Sequence, residues 1–483
     1  MERCESRGVL LHIGDPCYTP GSLCYTLARG IRGSGGTGKR PDMLVQIWNR
    51  LYTPCAFRFS LGRPWRRAVL VLVVAGLAAP LGMEAARIGF ASVWLRMGDL
   101  PALRRARAAD PRDPEVYDRL GQARLYDFEE SDPQAALAEF WQATRLAPKR
   151  PIYWEDLALA SESVRDGSTA RFALSRAQYL DPMSPRVHWL AANYDLNSGE
   201  AAEALPQLRR VLELGPAYSQ AVYELCLREG IGPRTVEAAV LPPGGEPVLE
   251  LSYAAFLVTS RQLEAARSAW DRSLTGHQAF PFSLAEPYLD GLMQDKEYSM
   301  AFRAWQDLER AAVIPGHDAS DPTQLIFNGS FERKPLNAGF DWRYGDVPYL
   351  TLDFADPAAH QGRRCLRMDF TAPSNRDFEP VYQDVAVEPN QAYELAASVR
   401  SDALTSGSGP RLRVVDLAQP AALDVSTGQT LGTTAWHEIQ VRFSTGPETR
   451  FVQVAVWRPR CLGFPAQISG TLWVDEVSLK ASG

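Results

Sequence analysis

Apolar positions change rhythm along the chain, and each rhythm predicts a different element. From Ala68 to Met83 the residues carry no charge. From about 92 to 313 large and small apolar residues recur at helical spacing, three or four apart. Residues 314–324, rich in Pro, Gly and Asp, read as a linker. Beyond 325 the spacing falls to two, in runs such as Val381–Val387, Tyr393–Val399, Leu412–Val415, Trp436–Phe443, Phe451–Trp457 and Leu472–Leu479. Short alternating runs between Gly, Pro and Asn turns predict antiparallel strands.

The helical region repeats. Leu146-Ala147-Pro148, Leu180-Asp181-Pro182 and Leu214-Gly215-Pro216 end three copies 34 residues apart, and Ala109-Asp110-Pro111 opens the series 37 residues before the first. Three extra residues near Glu129-Glu130-Ser131 account for the longer gap. Inside the copies, Tyr117-x2-Leu120-Gly121 precedes Ala136-x3-Phe140, and Trp154-x2-Leu157-Ala158 precedes Ala170-x3-Leu174. His188-x2-Ala191-Ala192 precedes Ala204-x3-Leu208. A small residue facing a large one lets two helices cross closely, and the proline stops the second helix because it cannot donate to the ladder. This period and pattern resemble the tetratricopeptide repeats. A fourth copy starts at Tyr218 and breaks at Gly230-Ile231-Gly232-Pro233; degenerate copies follow at Tyr253…Trp270 and Tyr288…Trp305. The resemblance implies a helical solenoid over 92–313 with a protein-binding groove, and no reaction.

Asn328-Gly329-Ser330-Phe331-Glu332, His360-Gln361-Gly362 and Trp473-Val474-Asp475-Glu476-Val477-Ser478-Leu479 resemble the ends of jelly-roll carbohydrate-binding modules, over 325–480. The expected fold is therefore multidomain: an all-α solenoid, an all-β sandwich and one N-terminal transmembrane helix over 63–86. The apolar run is short for a spanning helix and also suits a secretory signal. An anchor fits better than a cleaved signal, because Glu84 and Arg87 interrupt the place for a cleavage site and Gly89-Phe90-Ala91 comes late. Arg63, Arg66 and Arg67 would hold the N-terminus in the cytoplasm, which puts the repeats and the jelly roll outside it.

Residues 1–62 show no period and read as a disordered tail. Gly33–Lys39 matches the start of a phosphate-binding loop, but Arg40 replaces the magnesium-binding hydroxyl and Pro41 obstructs a helix start. Met43 is an alternative first residue. The net charge of −6 argues against nonspecific nucleic-acid binding. None of the seven cysteines forms C-x2-C; Cys365 and Cys461 are the one pair within a single expected domain, open to a disulfide or to two buried thiols.

In the solenoid, Asp118 with Gln122, Glu155 with Leu159, and Trp189 with Asn193 form i, i+4 pairs expected to face the groove, with Trp189 and Asn193 as the partner anchor. In the sandwich, exposed rings beside polar groups would stack on a glycan; Trp342, Tyr344, Tyr349 and Trp457, with Arg458, are the candidates. The resemblance further implies that Glu332 and Asp475 meet and hold a structural calcium, with carbonyls near Ser330, His360 and Arg363. No histidine pair, nucleophile elbow or marked carboxylate pair points to catalysis. The expected function is a noncatalytic envelope scaffold, in exopolysaccharide or cell-surface assembly; the alternative is a glycan-processing enzyme or its targeting subunit.

Overall fold

A computed structural model describes residues 64–482, apart from 127–130, 245, 276–278, 318–320, 322 and 373–374. The tail, the phosphate-loop-like run, Met43 and most of the extra turn at 129–131 lie outside the described residues. The chain divides into two units at Ala85 and Ala86. Helix α1 runs over Pro64–Met97, longer than the expected 63–86, with Pro80 inside it. Its stretch Ala68–Met97 is long and apolar enough to cross a membrane. Gly98, with a φ of 75°, ends α1. Asp99 then caps α2 (Leu100–Ala109) by accepting from the Ala102 amide at 2.6 Å.

The repeats form helical hairpins: α3 (Pro114–Tyr126) with α4 (Pro133–Leu146), α5 (Pro151–Ser163) with α6 (Gly167–Leu180), and α7 (Pro185–Asn197) with α8 (Ala201–Leu214). Each second helix ends two residues before Pro148, Pro182 or Pro216. Proline also opens α3, α4, α5 and α7, where its missing N–H costs nothing. The leading aromatic of each copy has a defined task. Tyr117 Oη and Trp154 Nε1 donate to the carbonyls of Pro111 and Pro148 at 3.0 Å, and His188 Nε2 lies 3.1 Å from that of Pro182. Tyr117 and Trp154 thus satisfy the prolines six residues before them, Pro111 and Pro148. The small positions are fully buried, and a Cβ on Gly121 would stand 2.7 Å from the Phe140 ring.

Ala170 has no exposed surface. Ala170→Trp is expected to overpack this crossing and cost about 1–3 kcal/mol. Thermal melting measures it, and a wild-type midpoint would refute the assigned register.

The fourth copy is incomplete. After α9 (Ser219–Arg228) a turn Pro233–Thr235 passes into a π-helical turn Val236–Val240 in place of a second helix. The hairpins α10 (Pro247–Thr259) with α11 (Leu263–Thr275), and α12 (Glu286–Gln294) with α13 (Tyr298–Arg310), complete the array.

The second half is a sandwich of two antiparallel sheets, ordered β1-β4-β9-β6-β7 and β2-β3-β10-β5-β8. The strands are β1 (Arg343–Tyr344), β2 (Leu350–Asp356), β3 (Cys365–Ala372), β4 (Phe378–Ala386), β5 (Ala392–Thr405), β6 (Arg411–Asp416), β7 (Asp424–Ser426), β8 (Gly432–Ser444), β9 (Phe451–Arg458) and β10 (Ile468–Ala481). The opening and closing segments lie side by side: Leu325 N donates to Leu479 O at 3.0 Å and Val477 N to Gly329 O at 2.9 Å.

The segment read as a linker is tied down at both ends. Ile314 is buried, and Gln324 bonds Val477 O and the Leu479 amide. The two halves share an aromatic cluster: Trp305 meets Phe327 and Phe340 edge-on, and Phe302 meets Phe340 and Phe451. Cys365 and Cys461 are both free and buried, the second of the two readings the sequence left open.

Candidate functional site

Side chains alternate across a strand, so burial tells the two faces of the first sheet apart. Val381, Gln383, Val385, Val452, Val454, Val456, Leu412 and Val414 are buried between the sheets. The opposite face therefore carries Tyr382, Asp384, Gln453, Ala455, Trp457, Arg411, Arg413 and Val415. Register places Trp457 beside Arg411, then Tyr382, Ala455 and Arg413 in one row, and Asp384, Gln453, Val415 and Asp424 in the next. Phe451 ends the face, and α13 lies over it: Tyr298 and Phe302 pack on its ring at 5.6 and 6.1 Å.

The far end is bordered by residues 375–377 and the loop 459–467. Asp377 accepts from Trp457 Nε1 at 2.7 Å, and Asn375 pairs with the Cys461 backbone. Arg458 binds these segments together, donating to Asn375 Oδ1, Arg376 O and Ala466 O at 3.0, 2.7 and 2.6 Å. It is buried, so this expected ligand contact is instead the tie of the border. Leu462 and Phe464 of that loop are almost wholly exposed. The face between these borders is a trough.

Its floor is held by charge. Arg413 donates to both Asp424 oxygens at 2.7 and 2.6 Å and to Glu379 at 2.6 Å. Those ionic hydrogen bonds pull Asp424 below the usual carboxylate range. The Arg413 and Arg411 guanidiniums lie 4.4 and 5.6 Å from the Trp457 ring centroid. Asp384 is buried at the α13 end; loss of water pushes its pKa up to about 6, against the Gln453 amide at 3.2 Å and the charge of Arg343.

The four expected glycan contacts do not form one site. Trp342 has no exposed surface; it packs on Phe331 and donates to Asn328 O at 3.1 Å. It stands immediately before β1 and enters the core. Tyr344, two residues on and on the same inner face, meets Phe354 at 4.7 Å in a separate cleft of about 480 Å³. Tyr349 is exposed at a left-handed turn before β2. Trp457 alone is in the trough. Sequence reasoning missed Arg411, Arg413, Tyr382 and Gln453, though their alternation with Trp457 on paired strands could have found them.

In the helical array, Asp118 and Glu155 are buried rather than displayed. Gln122 donates to Asp118 and to Asp156 at 3.0 and 2.9 Å, linking successive copies, and Arg186 reaches Glu155 at 2.8 Å. Loss of water, then the neighbouring Asp156, pushes Asp118 up to about 8. Leu159 is half-buried. Trp189 packs against the core, and the Asn193 amide turns back to Trp189 O at 2.8 Å. These polar groups join repeats to one another, which the i, i+4 reading of a single helix did not reveal.

Glu332 and Asp475 do meet one loop, but through its amides. Glu332 accepts from Arg363 and Arg364 at 2.6 and 3.0 Å, and Asp475 from His360 and Gln361 at 2.8 and 3.2 Å. Amide hydrogens stand where the resemblance implied carbonyl ligands. Among the described residues no group of three or more His, Cys, Asp or Glu has metal-site geometry. In this arrangement the donor set does not fit calcium.

No family model and no curated protein matches the chain. Solved structures to which it is similar include two tetratricopeptide-like proteins. One is PilF of Pseudomonas aeruginosa, with 16% identity and a TM-score of 0.26 over 47% of this chain and 91% of that one. The other is MamA, with 15% identity and a TM-score of 0.24 over 37% and 85%. A family 16 carbohydrate-binding module has 20% identity and a TM-score of 0.23 over 32% and 98%. Likenesses at this level add nothing to the reading of function, which rests on the geometry above.

Proposed function

We propose that this protein is a noncatalytic, membrane-anchored scaffold at the cell envelope that binds a polysaccharide in the trough of the first sheet and a protein along its helical array. The trough carries this reading. It sets a half-exposed indole and a tyrosine among fixed hydrogen-bonding groups on a rigid sheet, the composition a sugar ring requires. The carboxylates speak against the enzyme alternative. Glu379 and Asp424 are both held by Arg413, so neither is poised as an acid. Asp384 is poised, but Asp424, the carboxylate aligned with it, is three strands away. At about 4.8 Å per strand that is roughly 14 Å, beyond the spacing of a glycosidase pair.

The test uses the full chain in detergent against immobilised xylan, mixed-linkage β-glucan and alginate. Retention on at least one is expected, with Trp457→Ala about tenfold weaker. No retention on any of them would refute the glycan reading.

The anchor rests on the apolar length of α1, and its orientation on Arg63, Arg66 and Arg67 at its N-terminal end. A reporter active only outside the cytoplasm, fused after residue 100, is expected to be active; activity of a cytoplasm-only reporter there would reverse the orientation.

A further inference from the structure

The trough has one border that the sandwich does not supply. Phe451 closes the sheet face at one strand end, and the rings on it are Phe340 and, from α13, Tyr298 and Phe302. The helical array also reaches the sheet edge: Arg343 of β1 is paired with Asp290 of α12 at 2.7 Å. Tyr298 is half-buried, and its phenol is pushed up by loss of water and then by the charges of Asp384 and Tyr382 on the trough floor. The Tyr298 ring packs on Phe451 at the end of the floor, and not on a distant surface. Asp384 points away from the sandwich core yet is only 5% exposed, as expected of a side chain under a covering helix. At the other strand end, residues 375–377 and 459–467 form the second border, tied by Arg458. With both strand ends bordered, an extended ligand must run across the strands, from β4 towards β7. The open floor from Gln453 to Trp457 spans roughly 13 Å at the rise of a strand.

We infer that the last hairpin of the helical array is part of the ligand site, with Tyr298 as a specificity-determining contact on one side of the bound polysaccharide. This rests on the glycan reading and adds to it: the sandwich holds an incomplete site, and the array supplies the missing side. The hydroxyl of Tyr298, half-buried at this border, suits a hydrogen bond with a sugar hydroxyl.

Hydroxyl-radical footprinting of the full chain, with and without whichever of xylan, β-glucan or alginate it retains, tests this. Trp457 and Tyr298 are both expected to be protected, while Tyr179, exposed on α6, is not. Tyr298→Phe, which keeps the ring on Phe451, is expected to bind at least threefold weaker with an unchanged melting midpoint. Protection of Trp457 without Tyr298, together with wild-type binding by Tyr298→Phe, would overturn the inference and leave the glycan reading standing. Protection of neither residue would overturn both.

Discussion

Gly329→Ala is expected to lower the melting midpoint of the sandwich by roughly 6–12 °C, for a cost of about 3 kcal/mol. An alanine Cβ at this position would collide with the carbonyl oxygen of Val477, and it would also stand 3.2 Å from Ile326 Cγ2. Backbone cannot turn aside as a side chain can. The two segments are held together on either side, by Val477 N to Gly329 O and by Leu325 N to Leu479 O. Asn328 and Phe331 both have a φ of 53°, and Asn328 closes the turn through both backbone groups of Arg333. The chain has no slack there with which to retreat. Circular dichroism of the full chain, followed where strands dominate, measures the shift. A wild-type midpoint would show that the two segments are not packed as described.

The second large effect depends on pH. Asp118 has a carboxyl pKa of about 8 in the folded chain, against 3.8 for the free group. A raised carboxyl has the opposite sign from a salt-bridged one. Between these values the folded state keeps a proton that the unfolded state releases, so stability falls as pH rises and levels off above about 8. Asp156 reinforces the shift by its charge, as does Glu115 more weakly, while Arg119 opposes it. Asp118→Asn removes the ionisation and keeps an amide that bonds Gln122. The variant is expected to be more stable than wild type by roughly 2 kcal/mol at pH 9, with the gap closing towards pH 4. Parallel stability curves across that range would refute the buried acid.

The sequence was informative wherever one short rule decides a position. Proline cannot continue a helix, so Pro148, Pro182 and Pro216 marked the helix ends to within two residues. Alternation found β4, β5, β6, β8, β9 and β10, because each has one buried face. It did not single out β3, or the edge strand β2, although Leu350, Leu352 and Phe354 alternate there with Thr351 and Asp353. Trp342 shows where local reading fails: its neighbours resemble a loop, but burial is decided by Phe331 and Asn328, which a linear pattern does not connect to it. Asp118 and Glu155 failed for a related reason. Helix periodicity says which residues share a face, whereas Asp156, which bonds Gln122, and Arg186, which bonds Glu155, each come from the next copy. The side of the trough made by Tyr298 had no sequence signal, since it depends on how two differently patterned halves dock.

That docking has a mechanical consequence. Tyr298, Phe302 and Trp305 are embedded in the same cluster as Phe327, Phe340 and Phe451, and a Cβ on Gly339 would strike the Trp305 ring. Among the described residues this junction is packed on both sides. A load applied to a polysaccharide in the trough would pass into α13 and along the stacked hairpins as it passes through a stiff strut, with little lost to reorientation. In the proposed scaffold the chain would work as a spacer of constant length, with the ligands of the array and of the sheet kept at one distance and one angle.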